Sequence, residues 1–272
     1  MFETEKEVLD WYEAQPRSLT KEYLSTVPWH EIKNHPLNPA FVPVLIYMRD
    51  IEYFTDMYHR ELMRTPTGRD PYIAKFMERW TVEELNHAEV LDRFLNEAGI
   101  PTGDKWQAEA TAKIPRSYTF NTFLMYWAVK PFGKYFHGAH MAWGAINEIT
   151  TLQGYRRLAQ IADHPILTQL LTGVMHEESI HSNFYWNIAR IKLREAEFSR
   201  HLARFSVSKF WAPVGQGPKR EHETNYVVST LFPGQDGLDF FDRAVSSRVE
   251  RLPGFNGFKK LTERMAPIVL AS

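Results

Sequence analysis

The segment Trp80-Thr81-Val82-Glu83-Glu84-Leu85-Asn86-His87 interrupts an apolar stripe, and the manner of the interruption decides the fold. Positions 73, 77, 80, 84, 87, 91 and 94 share one face of an α-helix and read Ile, Met, Trp, Glu, His, Leu and Phe. The same offsets recur at 167, 171, 174, 178, 181, 185 and 188, reading Leu, Leu, Val, Glu, His, Tyr and Ile. A glutamate and a histidine three residues on thus break both seams at the same place. Before each comes another stripe carrying one inward glutamate. Around Glu52 it runs Phe41, Leu45, Met48, Glu52, Thr55, His59 and Leu62; around Glu148 it runs His137, Met141, Gly144, Glu148, Thr151, Tyr155 and Leu158. The chain reads as a weak internal repeat of two helical hairpins, each a Glu-x-x-Thr helix followed by a Glu-x-x-His helix.

Proline and glycine punctuate this pattern. Pro36, Pro39 and Pro43, the Pro66–Pro71 stretch, Gly99-Ile100-Pro101, Pro131 with Gly133, and Asp163-His164-Pro165 bound four long helices at roughly 41–64, 71–98, 134–162 and 165–194. Pro71 and Pro165 fall where a first helical turn has no N–H bond to lose. A shorter helix is predicted over 118–129. Beyond Glu195 the periodicity weakens, leaving a loop at 212–218 and short helices near 237–250 and 255–267. The expected architecture is all-α: a four-helix bundle over about 41–194, with flanking helices and a C-terminal cap over 195–272, in one domain spanning 1–272.

Residues three apart on a helix are neighbours, about 4.5 Å along the axis, so Glu84 with His87 and Glu178 with His181 reach one central point. Glu52 and Glu148 face the same interior. Burying four carboxylates unpaired would cost several kcal/mol for each. Two divalent cations supply the missing charge, and two Glu-only helices with two Glu-x-x-His helices form the ligand set of di-iron and di-manganese carboxylate bundles. Hard carboxylates with one imidazole per metal suit iron or manganese. With 23 glutamates and 11 histidines in the chain, the spacing alone would arise by chance, so the matched phase carries the argument. Glu83 and Glu177, rotated about 100° away, read as groups behind the ligands or at an interface. Asp50 and Asp56 compete with Glu52, but Asp50 falls off the stripe and Asp56 sits at its edge.

Composition narrows the remaining classes. With 272 residues, 44% hydrophobic and 24% charged, the chain has material for a substantial core. A net charge of -1 offers no field for gathering nucleic acid. The absence of cysteine excludes disulfides, thiolate nucleophiles and metal–thiolate sites. The start, Met1-Phe2-Glu3-Thr4-Glu5-Lys6-Glu7, lacks the basic-then-apolar order of a secretory signal. The longest apolar stretch, Ala40 to Met48, falls far short of the roughly 20 residues of a membrane span. A cytoplasmic protein with no membrane span is expected.

At the level of motifs, residues 80–87 resemble the Trp-Thr-Ala-Glu-Glu-Asn-Arg-His segment of the soluble acyl-acyl-carrier-protein desaturases. Glu177-Glu178-Ser179-Ile180-His181 resembles their Asp-Glu-Lys-Arg-His, and Glu148-Ile149-Thr150-Thr151 their Glu-Arg-Ala-Thr. The likeness spans roughly residues 40–195. It implies a ferritin-like fold, usually homodimeric, whose two iron ions, or a mixed iron–manganese pair, work with dioxygen and a ferredoxin-type electron donor. The reaction it implies removes two hydrogens from an acyl chain borne on acyl carrier protein. By the same resemblance the ligands are Glu52, Glu84, His87, Glu148, Glu178 and His181, and Thr151 is a catalytic hydroxyl that relays protons or handles oxygen. The sequence departs from the family at Leu85-Asn86 and at Glu177, and it is shorter than the plant members, which leaves room for another substrate or outcome. An oxygenase or N-oxygenase on the same scaffold and a ferritin-like iron-oxidising or iron-binding protein are the alternatives.

Other features read more plainly. His59 is expected as a satisfied core histidine, and His137 and His140 as structural or solvent-facing. Tyr118, Phe120, Phe123, Tyr126 and Trp127 read as core or subunit interface or, in part, as the lining of an apolar tunnel. Between Arg190 and Arg220 stand eight basic residues against two acidic ones, a solvated face or a dock for an acidic partner.

Overall fold

A computed structural model describes residues 2–271. In chain order the helices are α1 (Glu5–Ala14), α2 (Lys21–Thr26), α3 (Val42–Tyr53), α4 (Thr55–Leu62), α5 (Pro71–Glu97), α6 (Trp106–Ala112) and α7 (Arg116–Val129). There follow α8 (Tyr135–Ile161), α9 (Pro165–Glu195), α10 (Glu197–Phe210), α11 (Glu221–Leu231), α12 (Gly234–Phe241), α13 (Ser247–Val249) and α14 (Lys260–Val269). Among the described residues no strand forms. No helix among them is long and apolar enough to cross a membrane.

The long helices begin where their caps dictate. Asp70 accepts from the Tyr72 and Ile73 amides ahead of Pro71, and His164 Nδ1 accepts from the Leu167 amide ahead of Pro165. Helices α3 and α5 form one packed pair and α8 and α9 the other, and the two pairs enclose the predicted stripes. The interior is tight: Phe76 and Phe184 stack with centroids 3.7 Å apart, and Tyr185 meets Phe76 edge-on. The Tyr185 ring occupies the place a Cβ at position 144 would need, which is why the third stripe carries Gly144.

Two expectations need correction. The first predicted helix is broken: α3 ends and α4 begins at Phe54, whose amide is shared between Asp50 and Glu52 carbonyls. No proline or glycine marks the break, so the sequence carried no sign of it. The tail is also more helical than its periodicity suggested. Helices α10 and α11 occupy ground assigned no helix, while α12, a π-helical turn at 242–246 and α13 run together over the predicted 237–250 segment. Buried Trp211, Phe241, Phe255 and Met265 of this tail join the same apolar cluster as the bundle, with Trp211 Nε1 donating to Asn147 Oδ1 at 3.2 Å.

The aromatic cluster on α7 is not core, since Phe120, Phe123 and Trp127 stand more than half exposed. The basic stretch is only partly open: Arg194, Lys209 and Arg220 are exposed, whereas others are engaged within the fold. Arg190 is buried and donates to the Phe2 carbonyl, and Lys192 pairs with Glu5 and Asp70. Lys219 is buried against Asp50 at 2.9 Å, and Arg204 donates to the Gly254 and Asn256 carbonyls. His137 and His140 are both buried. His137 Nε2 lies 3.1 Å from the Pro66 carbonyl, and burial first, then His137 beside it, drives His140 down to about 3.

Candidate metal centre

Six side chains from four helices converge inside the bundle: Glu52 from the last turn of α3, Glu84 and His87 from α5, Glu148 from α8, and Glu178 and His181 from α9. All are buried, both imidazoles completely. They form two overlapping groups, Glu52–Glu84–His87–Glu178 and Glu84–Glu148–Glu178–His181. Within each group one ligand atom per residue lies within 4.8 Å of all the others. Glu84 and Glu178 belong to both.

The imidazoles fix the polarity of the site. His87 Nδ1 faces inward, 3.2 Å from Glu178 Oε1, 3.5 Å from Glu84 Oε2 and 4.0 Å from Glu52 Oε2. His181 Nδ1 likewise lies 2.8 Å from Glu84 Oε1 and 3.8 Å from Glu148 Oε2. Their outer nitrogens are taken by the two glutamates that precede the ligand glutamates. His87 Nε2 donates to Glu177 Oε2 at 3.0 Å and His181 Nε2 to Glu83 Oε2 at 2.8 Å, each across to the opposite motif. A carboxylate only accepts, so it keeps the proton on Nε2 and leaves the Nδ1 lone pair free for a cation.

Those backing carboxylates are themselves anchored. Glu177 Oε1 accepts from the Ser18 and Leu19 amides at 2.8 and 2.9 Å. Glu83 accepts from Tyr12 Oη at 2.7 Å, Arg17 Nε at 2.6 Å and Arg79 Nε at 2.9 Å. Burial opposes its ionisation, but His181, Arg17 and Tyr12 together bring Glu83 down to about 2. Glu177 is lowered too, its burial outweighed by His87 and the Leu19 amide. Tyr155 on α8 donates its hydroxyl to Glu52 Oε1.

The inner groups carry more negative charge than side chains alone can balance. Burial, then neighbouring carboxylates, push Glu52 and Glu148 well above the usual range, and Glu178 rises as well. Glu84 moves the other way: burial would raise it, yet the closeness of Glu52, His181 and His87 holds it well below. Despite burial, Glu177 and the inner carboxylates raise His87 strongly, and Glu83 and Glu84 raise His181 to about 9. Glu84 Oε1, both Glu178 oxygens and both histidine Nδ1 atoms are buried without a hydrogen-bond partner. Such orphaned acceptors and lone pairs, aimed at one volume, are what a pair of hard divalent cations requires.

The residues left open by the spacing now have places. Asp50 turns away to Arg49 and Lys219, and Asp56 pairs with exposed Arg60 at 2.9 Å, so neither joins the cluster. His59 belongs to neither group, and its Nε2 is buried without a partner, not satisfied as expected. Thr151 lies in the wall of an apolar cavity of about 60 Å³ with Met48, Ile51, Glu52, Leu231 and Met265, in which Glu52 is the one charged residue among those described. Sequence reasoning passed over Tyr155, although it lies one heptad after Glu148 on the same stripe. Tyr12, Arg17 and the Ser18 and Leu19 amides lie far from the motifs in sequence and left no pattern to find.

A family model described as fatty acid desaturase matches residues 51–204, more than half of the chain and all six of these residues. The chain belongs to the fatty acid desaturase family. No curated protein and no solved structure matches it. For a fatty acid desaturase, the buried Glu/His groups are ones that could hold metal, with an apolar cavity beside Glu52.

Proposed function

We propose that this desaturase is a di-iron enzyme that withdraws two hydrogens from a fatty acyl chain borne on acyl carrier protein. The observation carrying the proposal is the pair of overlapping ligand groups sharing Glu84 and Glu178. Glu52, His87 and the two shared glutamates would hold one ion, and Glu148, His181 and the same two glutamates the other. Two irons bound there would supply reductive activation of dioxygen, which no side chain can perform. The protein's own work is to orient and exclude. Glu177 and Glu83 hold the Nε2 protons of His87 and His181, and Tyr155 fixes one oxygen of Glu52. The apolar wall formed by Met48, Ile51, Leu231 and Met265 would put a few methylene groups of the chain beside Glu52. Thr151, in that wall, offers a hydroxyl through which a proton can pass between cavity and site. A ferredoxin-type electron donor and a homodimeric assembly complete the reading.

Mass spectrometry of acyl carrier protein substrates, incubated with the iron-loaded protein, dioxygen and a ferredoxin reducing system, tests it. The expected product has lost two hydrogens. A product that has gained oxygen instead would assign the site to an oxygenase, and an unaltered acyl chain with continuing iron oxidation to an iron-oxidising protein.

A further inference from the structure

Helix α7 presents an apolar stripe to solvent. Phe120, Phe123, Leu124 and Trp127 follow the i, i+3, i+4, i+7 spacing of a single helical stripe, and that stripe faces outward with exposures of 60, 57, 48 and 53%. Met125 beside it is 42% exposed. The opposite side, Tyr118, Thr122, Tyr126 and Val129, is the one turned to the protein. An exposed stripe of this size on a water-soluble surface marks an interaction site.

Charge indicates what occupies it. From Ala110 to Asn147 the chain holds Lys113, Arg116, Lys130 and Lys134 and not one aspartate or glutamate. All four cations are exposed and flank the stripe at both ends, and Lys130 Nζ stands 5.0 Å over the Trp127 ring. A second copy packed on α7 about a two-fold axis would bring these like charges together with no acid in the segment to compensate. Exposed aromatic and leucine side chains bracketed by cations at both helix ends suit the boundary of an anionic lipid surface, the side chains entering the acyl region and the cations meeting the headgroups.

We infer that α7 docks the protein peripherally on an anionic lipid surface, with Phe120, Phe123, Leu124 and Trp127 inserted and Lys113, Arg116, Lys130 and Lys134 on the headgroups. This inference is independent of the metal site. The test is co-sedimentation of the full chain with phosphatidylglycerol vesicles and with phosphatidylcholine vesicles, alongside hydrogen exchange of residues 116–129 in the wild-type chain. Binding is expected at least about tenfold tighter to the anionic vesicles, weakened by salt as charge attraction requires, with exchange across α7 slowed. The triple variant Phe120→Ser, Phe123→Ser, Trp127→Ser should lose that binding while keeping its melting temperature, because all three side chains are more than half exposed. Equal binding to both vesicle types would overturn the assignment. So would unchanged exchange over 116–129 on anionic vesicles, or protection of α7 that appears only on self-association or only with an acidic carrier protein.

Discussion

The two halves of the buried site share two glutamates yet are backed differently. Behind His181 stands Glu83, whose charge is matched by the guanidinium groups of Arg17 and Arg79 and by the Tyr12 hydroxyl. Behind His87 stands Glu177, held by two backbone amides, with no lysine or arginine paired to it among the described residues. Against burial, Glu177, Glu178 and Glu84 raise His87 well above its ordinary value, and Glu83 and Glu84 raise His181 to about 9. The His87 half also contains Glu52, the one ligand-type residue that borders the apolar cavity. The amide-backed half is therefore the one that borders the cavity, through Glu52. The account predicts that the halves respond unequally to substitution wherever their backing differs, and equally wherever they share a residue.

The shared residues give the largest effect. Glu84→Ala or Glu178→Ala should take bound iron from about two ions per chain to near zero, because each removes a ligand from both groups. Elemental analysis checks this; loss of only one ion would mean that the groups do not share the residue.

Removing metal altogether should make stability fall as pH rises. Glu52 and Glu148 lie above the ordinary 4.5, and His181 near 9 against 6.5. The folded, stripped chain therefore binds protons that the unfolded chain releases, and this contribution is lost as pH climbs through that window. Glu83, Glu84 and Glu177, all lowered, give stability of opposite sign, present above 4.5 and lost in acid. Calorimetry of chelator-treated protein should show a melting temperature lower by several degrees at about pH 9 than at about pH 6, with iron flattening the difference. A stripped protein with level melting between those values would place the carboxylates in solvent.

The backing residues separate the halves. Glu177→Ala should weaken iron binding by about 10–100-fold on the His87 side. Glu83→Ala should do the same on the His181 side, with a larger stability loss of about 3 kcal/mol, since it also strands Arg17 and Arg79. Iron titration with chemical denaturation compares the two. In both variants saturating iron should still fill the site.

The smallest effect belongs to Tyr155→Phe, which deletes one hydrogen bond to Glu52 and should cost about 1–2 kcal/mol of stability. Iron affinity should drop only in the His87 half, visible as two unequal binding steps.

What the sequence disclosed, and what it withheld, follows the same division. The six inward residues were legible because helical periodicity reports which face a side chain occupies, and Glu84, His87, Glu178 and His181 break an apolar face at matched positions. Arg79 was legible in principle, lying four residues before Glu83. The hold of Ser18 and Leu19 on Glu177 was not, because backbone amides have no side-chain signature and the contact spans 158 and 159 residues. Periodicity also says nothing about what faces a residue from across the fold. Lys192 and Lys219 therefore read as surface charge, whereas Asp70 and Asp50 await them in the interior. The α7 stripe divides the other way: its spacing fits core and subunit interface alike, and only the structure shows it turned outward.

Anomalous diffraction at the iron edge from crystals of the iron-loaded protein tests the central claim most directly. The account predicts two peaks per chain, one bounded by Glu52, Glu84, His87 and Glu178 and the other by Glu84, Glu148, Glu178 and His181. A single peak, or density bound elsewhere while Glu84 and Glu178 remain unliganded, would contradict it.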